Sequence, residues 1–352
     1  MVKSWFNRVL GRNFNMNAQE LYSKLKNVSH DSYKKWTLKD CEEIAPIIEK
    51  INELKSQNDA VILAHSYTLP EIVYGVADYV GDSYELSQKA SQVKEKNIIF
   101  AGVYFMAETA KIISPNKTVI IPAGKSGCSL ADSITAEELK TLKAKYPQAS
   151  VVCYINSNAE VKAECDVCVT SSNVYDIISK MPKKQIIFVP DSLMAENIKV
   201  EFLKRGVEKE IISSEGSCCV HDRFLVQDVE DIKQKYPEAK IITHPESRPE
   251  VCAMCDFVGG TGLMLKYVKE SAHKQFAVLT ERGLVNRLEF ENPDKQIVGP
   301  IAVCGHMKRN TLEDIYLALV SPLSTQIVEV DKDVAEKAKK SINKMFEMVE
   351  RK

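Results

Sequence analysis

The chain has 352 residues, 45% hydrophobic and 27% charged, and 47 Lys+Arg against 48 Asp+Glu leave a net charge of −1. That is enough chain for two or three compact domains with real cores. The values exclude a disordered segment, a collagen-like repeat and a basic nucleic-acid reader, and no apolar run reaches the roughly 18 residues of a membrane span.

The chain opens MVKSWFNRVLGRNFN, with Lys3, Arg8 and Arg12 interleaved among Trp5, Phe6, Val9 and Leu10. It lacks the continuous apolar stretch and small-residue cleavage site of a secretory leader, and reads as a frayed, amphipathic surface helix, with an organelle-targeting or membrane-surface helix as the alternative. Residues 1–48 are expected to form a polar, helical extension. From residue 49 onward, short apolar runs ending in polar clusters alternate with helical pattern. They are VILAHSYT, DYVGDS, NIIFAGVYF and TVIIP; then SVVCYINSN, VCVTSSN, QIIFVPDS and EIISS; then KIITHPES, DFVGGTG, FAVLTERG and IAVCG. Buried runs of this length predict parallel strands in α/β units, with their polar ends on the sheet edge where open α/β folds place ligands.

The three sets are one unit repeated. KAKYPQA at 143–149 returns as KQKYPEA at 233–239, and Glu160-Val161, Cys165-Asp166 and Ser171 return as Glu250-Val251, Cys255-Asp256 and Thr261. All of these share an offset of 90 residues, and His65, Tyr154 and His244 follow one another at 89 and 90. The expected organisation is an extension over 1–48, units at 49–134, 135–224 and 225–308, and helices over 309–352 that close onto the first unit. The predicted fold is α/β: three parallel-sheet domains related by a pseudo-threefold axis.

The repeat sorts the ten cysteines. Cys128, Cys218 and Cys304 each stand near the end of a unit, so three thiols can converge on the axis. Three soft ligands suit an iron–sulfur cluster or a soft metal, and three rather than four leave one iron open as a Lewis acid. The pairs Cys165/Cys168 and Cys252/Cys255 spell CxxC, but only Cys165 and Cys255 are repeat-equivalent and 83 residues separate the pairs, too far for a zinc ribbon. They read as structural thiols, with a redox pair as the alternative. Cysteine excess without a secretory leader points to a reducing, cytoplasmic setting.

Two further features recur. Ser83, Ser171 and Thr261 stand at strand ends before helices, first of all as helix N-caps, and together as a site for carboxylate or phosphate oxygens. The first polar cluster of each unit supplies His65 and Tyr67, Tyr154 and Asn156, then His244 and Glu246. Imidazole, phenol and carboxylate at equivalent positions point to general acid–base chemistry.

AHSYTLPEI, ADYVGDS, FMAETAKI, SGCSLAD, CYINSNAEVKA, VTSSN, CCVHDRF, HPES, GGTG and CGHMKRNTLEDIY, in this order and spacing, resemble the quinolinate synthases of NAD biosynthesis. The resemblance spans about His65 to Leu317. It implies three α/β domains around one 4Fe–4S cluster held by Cys128, Cys218 and Cys304 with one open iron. It also implies condensation of iminoaspartate with dihydroxyacetone phosphate to quinolinate, with loss of phosphate and two waters. By similarity, His65, Ser83, Tyr154, Asn156, Ser171, His244, Glu246 and Thr261 hold the substrates. Tyr67 and Glu246 move protons, with His244 assisting, and an aspartate-oxidising enzyme upstream is the expected functional link. The chain departs from the family pattern at Thr68, at Ser192–Ala195 and at Ser247-Arg248, which leaves room for a cluster-dependent dehydratase or condensing relative with another substrate; the CxxC pairs leave a second alternative, an iron–sulfur redox sensor.

Overall fold

The computed structural model describes residues 17–29, 34–124 and 126–350. The basic, amphipathic stretch around Arg8 lies outside the described residues. Three four-stranded sheets follow one another along the chain, each wholly parallel and each ordered second–first–third–fourth. The first sheet holds β1 (Ala60–His65), β2 (Tyr79–Gly81), β3 (Asn97–Ala101) and β4 (Thr118–Ile120). The second holds β5 (Ser150–Tyr154), β6 (Val167–Val169), β7 (Gln185–Val189) and β8 (Glu210–Ser213). The third holds β9 (Lys240–Thr243), β10 (Phe257–Val258), β11 (Gln275–Leu279) and β12 (Gln296–Val298). The fold is α/β with three parallel-sheet domains.

Why the runs become central strands is plain from their burial. AVILAH and SVVCY are buried at every position, as a strand covered on both faces by helices must be. One side chain fixes the register of each unit. The carboxylate just before the second strand accepts the amide of the first: Asp78 from Ile62 at 2.8 Å, Asp166 from Val151 at 2.8 Å and Asp256 from Ile241 at 2.9 Å. The Cys-Asp repeat is thereby explained, because Cys165 and Cys255 donate their thiols to the carbonyls of Val161 and Val251 four residues back. Both behave as structural thiols. Cys168 does not face Cys165 as a CxxC reading pairs them; its sulfur lies 3.4 Å from that of Cys153 on the adjoining strand.

The helix Leu38–Gln57 crosses the expected boundary at 48–49 and packs with Ala18–Leu25 on the first sheet. The closing helices divide. Leu312–Val320 packs against Leu38–Gln57 and β3. Lys332–Glu350 instead lies on Ala159–Ala163 and β6 of the second unit. Its Ala338, Ile342 and Met345 are completely buried in that unit's core, and Ser341 bonds to the sulfur of Cys168. The chain has simply enough length after Val320 to reach the neighbouring apolar face.

Candidate functional site

The first strands end at the same place in each unit, so His65, Tyr154 and His244 reach one edge of their sheets. The three edges face a common pocket of about 680 Å³, mouth included, and every residue that the sequence proposes as cluster ligand, substrate contact or acid–base group lines it. The first unit contributes His65, Tyr67, Ser83 and Cys128; the second Tyr154, Asn156, Ser171 and Cys218; the third His244, Glu246, Thr261 and Cys304. The CxxC thiols do not line it.

The strand-end hydroxyls are not caps. Asp82 caps the helix Ser83–Gln92, accepting from the amides of Tyr84 and Glu85 at 2.9 and 3.0 Å, and Asn173 and Gly260 precede the corresponding helices. Ser83 and Thr261 are first helical residues, their hydroxyls released from capping. A Cβ on Gly260 would collide with the Ser171 hydroxyl, so glycine is what lets the second unit touch the third there.

A continuous hydrogen-bonded chain crosses the pocket wall. The Tyr67 phenol lies 3.2 Å from both the Thr261 and Thr280 hydroxyls. Thr280 lies 2.9 Å from Nε2 of His221, whose Nδ1 is 2.7 Å from Oε2 of Glu246. Oε1 of Glu246 accepts from the Tyr154 phenol at 2.6 Å. The members come from all three units. Burial alone would raise the pKa of Glu246, but His244, His221 and the Tyr154 hydroxyl hold it below the usual carboxylate range. Burial pushes both phenols, Tyr67 and Tyr154, upward. Burial also lowers His65 and His244 to about 3, so both rings are neutral. Each accepts on Nδ1 from the amide two residues on, at 3.1 Å from Tyr67 and 3.3 Å from Glu246. Nε2–H is therefore left as a donor on both rings.

His221 and Thr280 were not singled out in the sequence. The three residues following each ligand-candidate cysteine carry a signal for the first. Position +3 is Ala131, His221 and Met307 in the three units, and a histidine where its equivalents are apolar marks a special role. Thr280 shows no such mark.

The three thiols fit a metal cluster on chemical grounds. Cys128, raised to about 12, and Cys304, raised to about 11, owe this first to burial, and Cys218 is raised well above its usual range for the same reason. The field of Cys304 adds to the rise at Cys128, and that of Cys128 to the rise at Cys218. No lysine or arginine among the described residues lines the pocket. Three thiolates gathered there call for cations from outside the protein, which cluster irons supply. A second donor set overlaps the first: a thiol, an imidazole nitrogen and a carboxylate oxygen from Cys218, His221 and Glu246 lie within 4.8 Å of one another and could hold a metal ion.

Three orphaned polar atoms point to a ligand. Oδ1 of Asn156, the Thr170 hydroxyl and Nδ1 of His306 are buried in the pocket wall without protein partners. The departures from the resemblance, by contrast, are spent on structure. Thr68 donates to the carbonyl of His65 at 2.9 Å, Ser247 bonds to Thr243 at 2.8 Å, and Arg248 pairs with Asp222 at 2.9 Å.

Among the described residues no helix is long and apolar enough to cross a membrane. Residues 49–347 match the family model described as Quinolinate synthetase A protein. A quinolinate synthase of Alkaliphilus metalliredigens is 43% identical over 304 residues, 86% of this chain and 98% of the relative. One from Caldicellulosiruptor bescii is 44% identical over 301 residues, 85% and 97% of the two chains. One from Dehalococcoides mccartyi is 44% identical over 305 residues, 86% and 98%.

Proposed function

The chain belongs to the quinolinate synthetase A family and is an enzyme, and from that premise we propose that it condenses iminoaspartate with dihydroxyacetone phosphate. The products are quinolinate, phosphate and two waters, made for NAD biosynthesis in the cytoplasm. An enzyme that oxidises aspartate would supply the unstable imine. The observation that carries the reading is the meeting of three thiols, one from each unit, in the pocket that also holds the acid–base residues.

Cys128, Cys218 and Cys304 would hold one 4Fe–4S cluster, with one iron left open. When bound, the cluster supplies a Lewis acid beside the substrate. His65 and His244, neutral and with Nε2–H free to donate, together with Ser83, Ser171 and Thr261, bind carboxylate and phosphate oxygens. Oδ1 of Asn156, orphaned and buried, accepts the N–H of the substrate imine or its enamine. Tyr154 and Asn156 both donate to Glu246, at 2.6 and 3.4 Å, and so fix the carboxylate.

The condensation needs a proton removed next to a carbonyl, and each dehydration needs a proton delivered to a leaving hydroxyl. Glu246, held ionised, is the base, with His244 assisting. Tyr67 is held protonated by burial and is the acid. The Thr280–His221 link between Tyr67 and Glu246 carries the proton back for the next step. The set matches a dehydrating condensation better than a redox sensor, which needs no acid–base residues.

The test is turnover by anaerobically purified protein. Freshly generated iminoaspartate and dihydroxyacetone phosphate should yield quinolinate, with one phosphate released per quinolinate. A chain loaded with iron that forms no quinolinate would move the reading to a relative with another substrate. A chain that binds only zinc would favour the Cys218–His221–Glu246 donor set.

A further inference from the structure

Each of the three thiols is followed four residues later by a charged side chain: Asp132, Asp222 and Lys308. Each of these reaches into another unit, to the loop just after its first strand. Nδ2 of Asn158 donates to Oδ1 of Asp132 at 3.3 Å. Nη2 of Arg248 lies 2.9 Å from Oδ1 of Asp222, and its Nε donates to the Asp222 carbonyl at 3.0 Å. Nζ of Lys308 donates to the carbonyl of Thr68 at 3.4 Å. Asn158 and Arg248 stand four residues beyond Tyr154 and His244, and Thr68 three beyond His65. First unit binds second, second binds third and third binds first, so the ring closes on itself.

The near end of each bridge is tied to its cysteine. Oδ2 of Asp132 accepts the Cys128 amide at 3.0 Å. The Asp222 amide donates to the Cys218 carbonyl at 3.0 Å, and its Oδ2 accepts from Ser217 at 3.2 Å. The Lys308 amide donates to the Cys304 carbonyl at 3.2 Å. Its Nζ pairs at 3.3 Å with Glu281, whose Oε1 also accepts the Cys304 amide at 3.2 Å. An amide on a carboxylate, a guanidinium on a carboxylate and an ammonium on a carbonyl thus build one geometry three times. Side chains that merely happened to be charged would not share a register across three units.

We propose that these bridges are clasps, each holding a thiol-bearing loop at a fixed distance from the substrate-binding loop of the next unit. Asp222–Arg248, the one direct ion pair of the three, is then the positioning pair that sets Cys218 against His244 and Glu246. The inference rests on the cluster and substrate roles proposed above. It deepens them by naming what registers one against the other, a register in which an ångström matters to rate.

Arg248→Ala, Asp222→Asn and the double variant test it, on iron-loaded protein, by the rate of iron loss to a chelator and by kcat and KM. Each single change is expected to speed iron loss about threefold and to raise KM by a similar factor, the scale of a partly exposed bidentate pair. The double variant should be no worse than Arg248→Ala alone, which already removes both the carboxylate and the carbonyl contact of the guanidinium. Arg248→Lys, which keeps the charge and loses the fork, should recover part of the loss, and carries the comparison if Arg248→Ala does not fold. Iron loss and KM equal to the parent in Arg248→Ala, or a double variant whose effects multiply, overturns the clasp. If the parent loads iron but makes no quinolinate, the proposed reaction fails while iron loss still decides the clasp. A parent that takes up no iron overturns both.

Discussion

The Tyr154 phenol donates to Oε1 of Glu246 at 2.6 Å, and the two residues come from different units, 92 positions apart. The carboxylate therefore exists in its working orientation only when the second and third units are docked. Its other oxygen, 2.7 Å from His221, closes the same dependence from the opposite side. The proposed base is built by the assembly of repeats, not by any one of them.

Glu246→Gln keeps the shape of the side chain and removes its charge. Turnover is expected to fall on the order of 100- to 10,000-fold, the range lost with a general base, while iron per chain stays at the parental value. Measuring both on one preparation checks it. Retained turnover would remove Glu246 from the proton path.

Tyr67→Phe deletes only the hydroxyl that bridges Thr261 and Thr280. Stability should drop by about 1 kcal/mol, the net worth of such a bond, and kcat should fall far more than KM rises. A steady-state comparison with a thermal melt separates the two effects. Loss confined to KM would make the phenol a binding group.

His65 gives a pH dependence with a fixed sign. Burial lowers its folded-state pKa to about 3, below the unfolded value of about 6.5. The unfolded chain takes up the proton first, so stability is intact above pH 6.5 and declines as pH falls toward 3. His65→Gln should flatten that slope, read by denaturant unfolding between pH 7 and 4. An unchanged slope would mean that the ring is not held neutral.

Asp78 carries the first unit's register. It accepts the Ile62 amide at 2.8 Å and pairs at 3.1 Å with Lys55, both side chains being only 7% exposed. Asp78→Ala should cost about 3 kcal/mol, as breaking a buried pair does, and lower Tm. Asp78→Asn, which keeps the acceptor, should cost less. Activity per folded molecule should not change in either.

Much of this was legible in the chain because the information was periodic. Apolar runs in threefold step gave the three sheets, and their polar ends gave the pocket, because strand direction forces both. His221 escaped because its partners, Glu246 and Thr280, lie 25 and 59 residues away and meet it only through docking. Ser83 was expected to cap its helix, but the helix begins at Ser83 and Asp82, one residue earlier, accepts the free amides of Tyr84 and Glu85 with its charged carboxylate. The last helix went to the second unit because Cys168 and its neighbours offer an apolar face that no sequence pattern assigns to it.

The most direct measurement is Mössbauer spectroscopy on anaerobically purified, iron-57-loaded protein, before and after adding a dicarboxylate substrate analogue. A 4Fe–4S cluster held by Cys128, Cys218 and Cys304 should give about four irons per chain, one of them distinct and shifted by the analogue. Cys128→Ala should lose that signal, whereas Cys165→Ala should keep it. Four equivalent irons untouched by the analogue, or a single bound metal that survives Cys128→Ala, would contradict a three-thiol cluster open to substrate.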